Sequence, residues 1–353
     1  KRLEATIVAT PDGFDVSWPT KLMPIYVANP KQHAEPSEAT YRFSTRAEEL
    51  YSRINFDDVA EVLGHDVSDD FRRDCKRQCE RLEEAHLLIG SESPGHKYPD
   101  ALRGAPHVIR LKPDANISNI YTRWRHRRPD EYAVLRDHAQ GLEEAGILER
   151  IPFGVQPYVV NPILIVAKKD EHGNTTGYRA VHDARLLNEE TLLERFPLPH
   201  VTTVTQVASR GGERSLRSKI DFASFFMQFP LDPDCKWLTT TQVSDNIFVV
   251  ANRMLPGLHS AGATAQAFSS AHFDGTDQMA YIDDVVAAHA DPTEKSLLAW
   301  LQQNVDKLIE LHVTVNATKT RFFYSELTVL GHSVSHRSIR PLQHRLDALQ
   351  NYE

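Results

Sequence analysis

The sequence predicts an α+β fold in which antiparallel hairpins alternate with amphipathic helices, and three stretches carry that expectation. Met279–Ala288 sets two short apolar runs about the pair Asp283-Asp284, the pattern of a β-hairpin with acids at its tip. Asn161–Ala167 reads as a buried strand that Gly173-Asn174 turns back into a partner holding Tyr178–Val181. Asp291-Pro292-Thr293-Glu294 opens a helix with Leu297, Leu301, Val305, Leu308 and Ile309 at helical spacing, a core element.

Composition narrows the classes. With 353 residues, 41% hydrophobic and 25% charged, the chain suits a globular protein of two or three subdomains, not a disordered or fibrous one. No run of about 18 apolar residues exists to span a bilayer, and no signal-peptide core follows Lys1–Ala5, so no membrane partner is expected. Cys75, Cys79 and Cys235 are too few for a disulfide framework and suit a reducing compartment, cytoplasmic or nuclear. Cys75 and Cys79 lie one helical turn apart, but no second pair stands at finger-like spacing. The net charge of −8 argues mildly against a nucleic-acid partner, so local charge must decide. The chain starts at Lys1 without Met, which reads as a processed product or a piece of something longer.

Taken in order, residues 1 to about 40 are dotted with proline and show no period. Thr45 with Glu48 forms a capping-box pattern, and Ser68-Asp69-Asp70 opens a second helix through Phe71, Cys75, Cys79 and Leu82. Both helices are expected to pack as a helical preface to the rest of the chain. Ser91 to Pro106 reads as a linker, with a boundary near residue 105. Then come a strand-like His107–Leu111 and the run Tyr121-Thr122-Arg123-Trp124-Arg125-His126-Arg127-Arg128. Guanidiniums for phosphates and flat rings for bases are what nucleic acid needs, though an exposed loop in an acidic protein has the same look. A helix from Pro129 to Gly146 carries Tyr132, Leu135, Ala139 and Leu142 on one face.

The chemistry gathers around carboxylates. Two of them about 4 Å apart repel by about 4 kcal/mol at an effective dielectric near 20, so Asp283-Asp284 must raise a pKa, recruit a cation or remain a solvated turn. Asp221 ends a strand, Ser215–Ile220, where it could equally cap a helix. Lys168-Lys169 and Arg179 flank a hairpin tip, placed to meet a triphosphate or simply solvent.

Their order is what resembles a family. Tyr178-Arg179 with Asp183, Arg185 and Asn188, then Phe196-Pro197-Leu198-Pro199, Ser218-Lys219-Ile220-Asp221 with Phe226 and Gln228, Tyr281-Ile282-Asp283-Asp284, Lys319, Leu330-Gly331-His332 and Ile339-Arg340-Pro341 together resemble the reverse transcriptase of gypsy-like long-terminal-repeat retrotransposons. Two departures stand out: Pro256 where the family has Phe, and Gly262 where it has Pro. The stretch from Gln266 to Tyr281 is also short, which implies a missing loop or a trimmed helix.

The resemblance implies the fingers and palm of a right-handed polymerase, the palm an antiparallel, ferredoxin-like sheet with helices on one face. Its boundaries would be an N-terminal region 1–104, fingers 105–195 and 229–259, palm 196–228 and 260–340, and a thumb begun at 341–353. It further implies RNA-directed DNA polymerisation, extending a primer on an RNA or DNA template with deoxynucleoside triphosphates. Two Mg²⁺ ions, for which Mn²⁺ can substitute, would be held by Asp221, Asp283, the weaker Asp284 and the Phe222 carbonyl. Lys168, Arg179, Gly257 and Lys319 would bind the nucleotide, and Phe226 would exclude a 2′-hydroxyl. Leu330, Gly331 and His332 would grip the primer, and Arg123, Trp124, Arg125, Arg127 and Arg128 would touch nucleic acid. Other polyprotein domains (thumb, RNase H) or another chain would supply the missing surface. The competing expectation is a retroelement-derived structural or nucleic-acid-binding protein without synthesis.

Overall fold

The computed structural model describes residues 6–10, 13–17, 45–90, 98–169 and 175–342, with the backbone alone in the first two stretches and at Lys168–Lys169. Two units are distinct, Lys1–Phe43 and Ser44–Glu353. In the first, β1 (Thr6–Thr10) and β2 (Gly13–Ser17) form an antiparallel hairpin with Thr10 opposite Gly13.

The second unit begins with the expected helices. At Thr45 the side chain accepts the Glu48 N–H and the Glu48 carboxylate accepts the Thr45 N–H, a reciprocal cap that starts α1 (Arg46–Tyr51). α2 (Phe56–Leu63) stops at Gly64, whose φ of 76° only glycine adopts freely. Ser68 caps α3 (Asp69–Glu84), which turns Phe71, Cys75, Cys79 and Leu82 inward. Burial pushes the Cys75 thiol up to about 12 and raises Cys79 too, so neither is a ready thiolate. β3 (Leu88–Ile89) follows. Of the expected linker, residues 91–97 lie outside the described residues. The rest is tied down: Leu102 N–H donates to Gln228 O at 2.8 Å and His107 N–H to Pro230 O at 2.8 Å.

Further on, α4 (Pro129–Glu144) buries Leu135, Ala139 and Leu142, and β4 (Leu148–Arg150) follows Gly146. β5 (Ile163–Lys169) and β6 (Thr175–His182) pair antiparallel, with Val166 opposite Arg179; the Gly173-Asn174 turn lies outside the described residues. Then come α5 (Arg185–Glu190), α6 (Val201–Ala208), β7 (Ser215–Asp221), β8 (Thr241–Ser244), β9 (Ile247–Ala251) and α7 (Ala261–Phe273). The chain closes through β10 (Gln278–Tyr281), β11 (Asp284–Ala290), α8 (Glu294–Leu311), β12 (Val315–Asn316), β13 (Arg321–Tyr324), β14 (Glu326–Val329), β15 (His332–Ser335) and β16 (Ile339–Pro341). Of the thumb expected to begin at 341–353, residues 343–353 lie outside the described residues.

The site hangs on a four-stranded antiparallel sheet ordered β10-β11-β7-β13. Alternation along β11 sends Val285 into the main core and Val286 into a second cluster with Val204, Ala208, Leu327, Val329 and Val334. So the sheet has helices on both faces, α7 and α8 on one and the shorter α6 on the other, where the sequence had placed them on one. The reason is β11 itself, apolar at both parities and buried from Val285 to Ala288. α3 packs on α8, with Arg81 paired to Asp306 at 2.7 Å and the Ser68 N–H donating to Glu294. The short connection before β10 is braced by two side chains. Asp274 Oδ1 accepts the Ala280 N–H at 2.7 Å and Gln278 donates to Phe273 O at 2.6 Å.

Candidate active site

Register brings the acids together. β11 runs antiparallel to β7 with Asp284 opposite Asp221, so both side chains leave the same face of the sheet. Asp283 stands beside them, exposed in the two-residue turn between β10 and β11, and its carbonyl accepts the Phe222 N–H at 2.8 Å. The turn needs Ile282 at a φ of 54°, a conformation that costs a β-branched residue on the order of 1 kcal/mol or more. Gln266 on α7 holds it there: its Oε1 accepts the Ile282 N–H at 2.8 Å while its Nε2 donates to Ala280 O at 3.0 Å.

Burial sets the electrostatics. It raises Asp221 to about 6 against the pull of Lys319, with the neighbouring acids adding to the rise. Burial likewise raises Asp284, opposed chiefly by Lys219. Lys219 Nζ lies 3.5 Å from Asp284 Oδ1 and Lys319 Nζ lies 3.8 Å from Asp221 Oδ1. The Lys219 contact is an ion pair without hydrogen-bond geometry, and Asp284 Oδ1 remains buried with no hydrogen-bond donor. A hard, oxygen-only donor set with an orphaned buried oxygen fits a divalent cation such as Mg²⁺. As placed, though, the three acids do not close around one point: among the described residues no group of three His, Cys, Asp or Glu side chains is spaced to hold a metal. A bound cation would have to draw the exposed Asp283 inward.

Around this pair the other expected residues fall unevenly. Phe222 is buried against Phe225 and Phe273, with ring centroids 4.8 and 5.1 Å away. Phe226 is half-buried in the single 3₁₀ turn Phe225–Gln228, and Gln228 anchors that turn by donating to Ala223 O at 2.8 Å and Thr314 O at 2.9 Å. Leu330 and Gly331 make the tight turn between β14 and β15 with φ of 46° and 80°. Leu330 packs on the Val286 and Val204 cluster, so this turn and the acid hairpin share one small core. His332 turns its Nδ1 to Leu330 O at 3.3 Å. Gly257, at a φ of 97°, offers its carbonyl to Asn188 Nδ2 at 2.8 Å.

Arg179 is exposed on β6, and the Lys168 side chain lies outside the described atoms. The basic run divides in two. Arg123 and Arg125 are exposed, whereas Trp124 packs on Ile163 and on Tyr132, 6.0 Å between centroids. Arg127 donates to Ile163 O and lies over Trp124, and Arg128 pairs with Asp130 and Glu131 at 3.5 Å. Residues 122–127 line a cavity of about 610 Å³ with Leu164, Asp183 and Arg185.

Sequence reasoning singled out neither Lys219 nor Gln266 as a site residue. The signal for Lys219 was its place two residues before Asp221 on a strand, which puts both on one face. No local signal marks Gln266, since its role depends on where α7 meets the hairpin.

The family described as reverse transcriptase (RNA-dependent DNA polymerase) matches residues 166–334, which contain all three acids. The chain is 27% identical over 248 residues to the "Retrovirus-related Pol polyprotein from transposon 412" of Drosophila melanogaster, covering 69% of this chain and 19% of that one. To the corresponding polyprotein from transposon gypsy it is 23% identical over 306 residues, 85% of this chain and 27% of the relative. The chain thus spans less than a third of either relative's length. Among solved structures, a foamy viral protease-reverse transcriptase in complex with double-stranded DNA aligns with a TM-score of 0.67 at 18% identity, over 91% of this chain and 51% of that one. The chain therefore shares the α+β fold of that polymerase, the fold class that the sequence led us to expect.

Proposed function

We propose that this chain carries the polymerase core of a retrotransposon reverse transcriptase, joining deoxynucleotides to a primer 3′-hydroxyl on an RNA or DNA template. The observation that carries the reading is the register of Asp221 opposite Asp284, with Asp283 at the adjoining turn, inside the matched family segment. When bound, a pair of Mg²⁺ ions would lower the pKa of the primer hydroxyl and neutralise the triphosphate. The chain's own part is to aim oxygens. Asp221 and Asp283 supply the principal carboxylates, and Asp284 and the Phe222 carbonyl the weaker ones. Lys319 reaches the pyrophosphate, and Lys168 and Arg179 meet the triphosphate. Phe226 lies under the sugar and turns away a 2′-hydroxyl, while Gly257 shapes the nucleotide's floor. The Leu330-Gly331-His332 turn grips the primer, sharing the apolar cluster that supports the acid hairpin. Arg123 and Arg125 face the nucleic acid, with Trp124, Arg127 and Arg128 forming the wall behind them.

One observation favours a second reading, a nucleic-acid-binding module without synthesis: the acids as placed do not enclose a metal. Primer extension decides between them, on an RNA template with deoxynucleotides and Mg²⁺. The polymerase reading expects metal-dependent extension that Asp283→Asn lowers by roughly 100-fold or more. Equal extension by the two proteins overturns the role given to Asp283, and none from either leaves the binding module.

A further inference from the structure

The acid pair meets two lysines, and the two are not alike. Lys219 precedes Asp221 by two positions on β7, so the strand period puts it on the same face, and Val286 lies opposite it in register. Its side chain is 16% exposed and that of Asp284 14%. Both ends of this pair are fixed on neighbouring strands of the central sheet. Lys319 approaches Asp221 from the turn between β12 and β13 with a side chain 63% exposed. An exposed partner of that kind is screened by water and free to swing toward a ligand. Lys219 has little room to leave.

We propose that Lys219 is a built-in counter-ion of the metal centre, pairing permanently with Asp284 so that Asp221 and Asp283 set the charge offered to the cations. This rests on the reading of the acids as a cation site. Lys219 acts through Asp284 and is a positioning residue. Its ammonium cancels one of the carboxylate charges before any metal arrives, which keeps the empty hairpin closed on β7.

Direct Mn²⁺ binding to the full chain tests the proposal, read from the free-ion electron paramagnetic resonance signal and independent of synthesis. Lys219→Gln is expected to bind Mn²⁺ about 10-fold more tightly, because Asp284 loses its partner. Asp284→Asn is expected to bind more weakly, because Lys219 then stands unpaired beside the cations. The double variant should return to within about threefold of wild type, the mark of a coupled pair. Lys219→Arg, which keeps the charge, should match wild type. Lys219→Met retains the packing of the stem and replaces Lys219→Gln if that variant does not fold. Unchanged or weaker Mn²⁺ affinity on removing the Lys219 charge, with binding still lost in Asp283→Asn, overturns the counter-ion and leaves the polymerase reading intact. Binding indifferent to Asp283→Asn in every protein overturns both.

Discussion

Strand β7 buries charge at both ends by opposite means. Arg217, wholly buried, has no carboxylate beside it among the described residues. Its Nε donates to Ala208 O at 3.0 Å, its Nη1 to Ser215 O at 2.8 Å and Ser325 O at 3.2 Å, and its Nη2 to Ser215 Oγ at 3.0 Å. Ala208 closes α6, so the guanidinium also meets the negative end of a helix. Burial alone pulls it down to about 10, which leaves it charged at neutral pH. Four residues on, Asp221 faces Asp284 with lysines for company and an orphaned oxygen between them. One end of the strand is satisfied and finished. The other is held together but unsatisfied, and a strand that can afford the first can tolerate the second.

The contrast predicts opposite responses to removing the charge. Arg217→Met strips donors from buried carbonyls at Ala208, Ser215 and Ser325 and should cost about 3 kcal/mol, read as a lower urea midpoint. Little loss would mean that water reaches the cage. Asp221→Asn should act the other way in metal-free protein. Its folded pKa lies above the unfolded one, so the folded state holds the proton more tightly and ionisation weakens it as pH rises through about 6. Asn stays neutral and escapes that cost. The variant should therefore melt higher than wild type at pH 8 without metal, by on the order of 2 kcal/mol, and lose the stabilisation that added Mg²⁺ gives wild type. A lower melting point would show that Lys319 and Lys219 already satisfy the carboxylate.

Much of this was legible in the residues, and the reason is local. Capping at Thr45 and Ser68, alternation in β10 and β11 and the spacing in α8 each need only a few neighbours to declare themselves. The three acids could be found because each ends or turns a strand. What stayed hidden depends on long-range placement. Arg217 read as polarity in a mixed strand, since its partners at Ala208 and Ser325 come from 9 residues before and 108 after. Gln266 needed α7 to lie against the hairpin. The second helical face needed α6 to dock on Val286. The run at Arg123–Arg128 looked uniform, yet Trp124 and Arg127 turn to the protein because Ile163 and Tyr132 lie beneath them.

The opposite face of β7 buries a titratable group in a third way, by keeping it neutral. His289 sits opposite Leu216 on β11, its Nε2 2.9 Å from Ser218 Oγ, with its ring 4.8 Å from Trp300 and 5.4 Å from Phe323. Ser218 Oγ already accepts the Phe323 N–H at 3.1 Å, which leaves its proton to donate to the imidazole. Burial, with the Arg217 charge adding to it, lowers His289 to about 3. The groups facing it are thus a hydroxyl, two rings and a distant guanidinium, none able to stabilise an imidazolium. A histidine whose folded pKa falls below the unfolded value of 6.5 contributes stability that is whole above 6.5 and shrinks as pH drops, because only the unfolded chain takes the proton. His107 and His182, also lowered by burial, act with the same sign. Between pH 7 and 5.5 the loss from His289 alone should be about 1 kcal/mol. His289→Gln should flatten the acid limb of the urea midpoint against pH by that amount, whatever it does to the midpoint at pH 7. An unchanged limb would mean that the pocket opens to admit the proton, and that this face of the sheet is looser than the one carrying the acids.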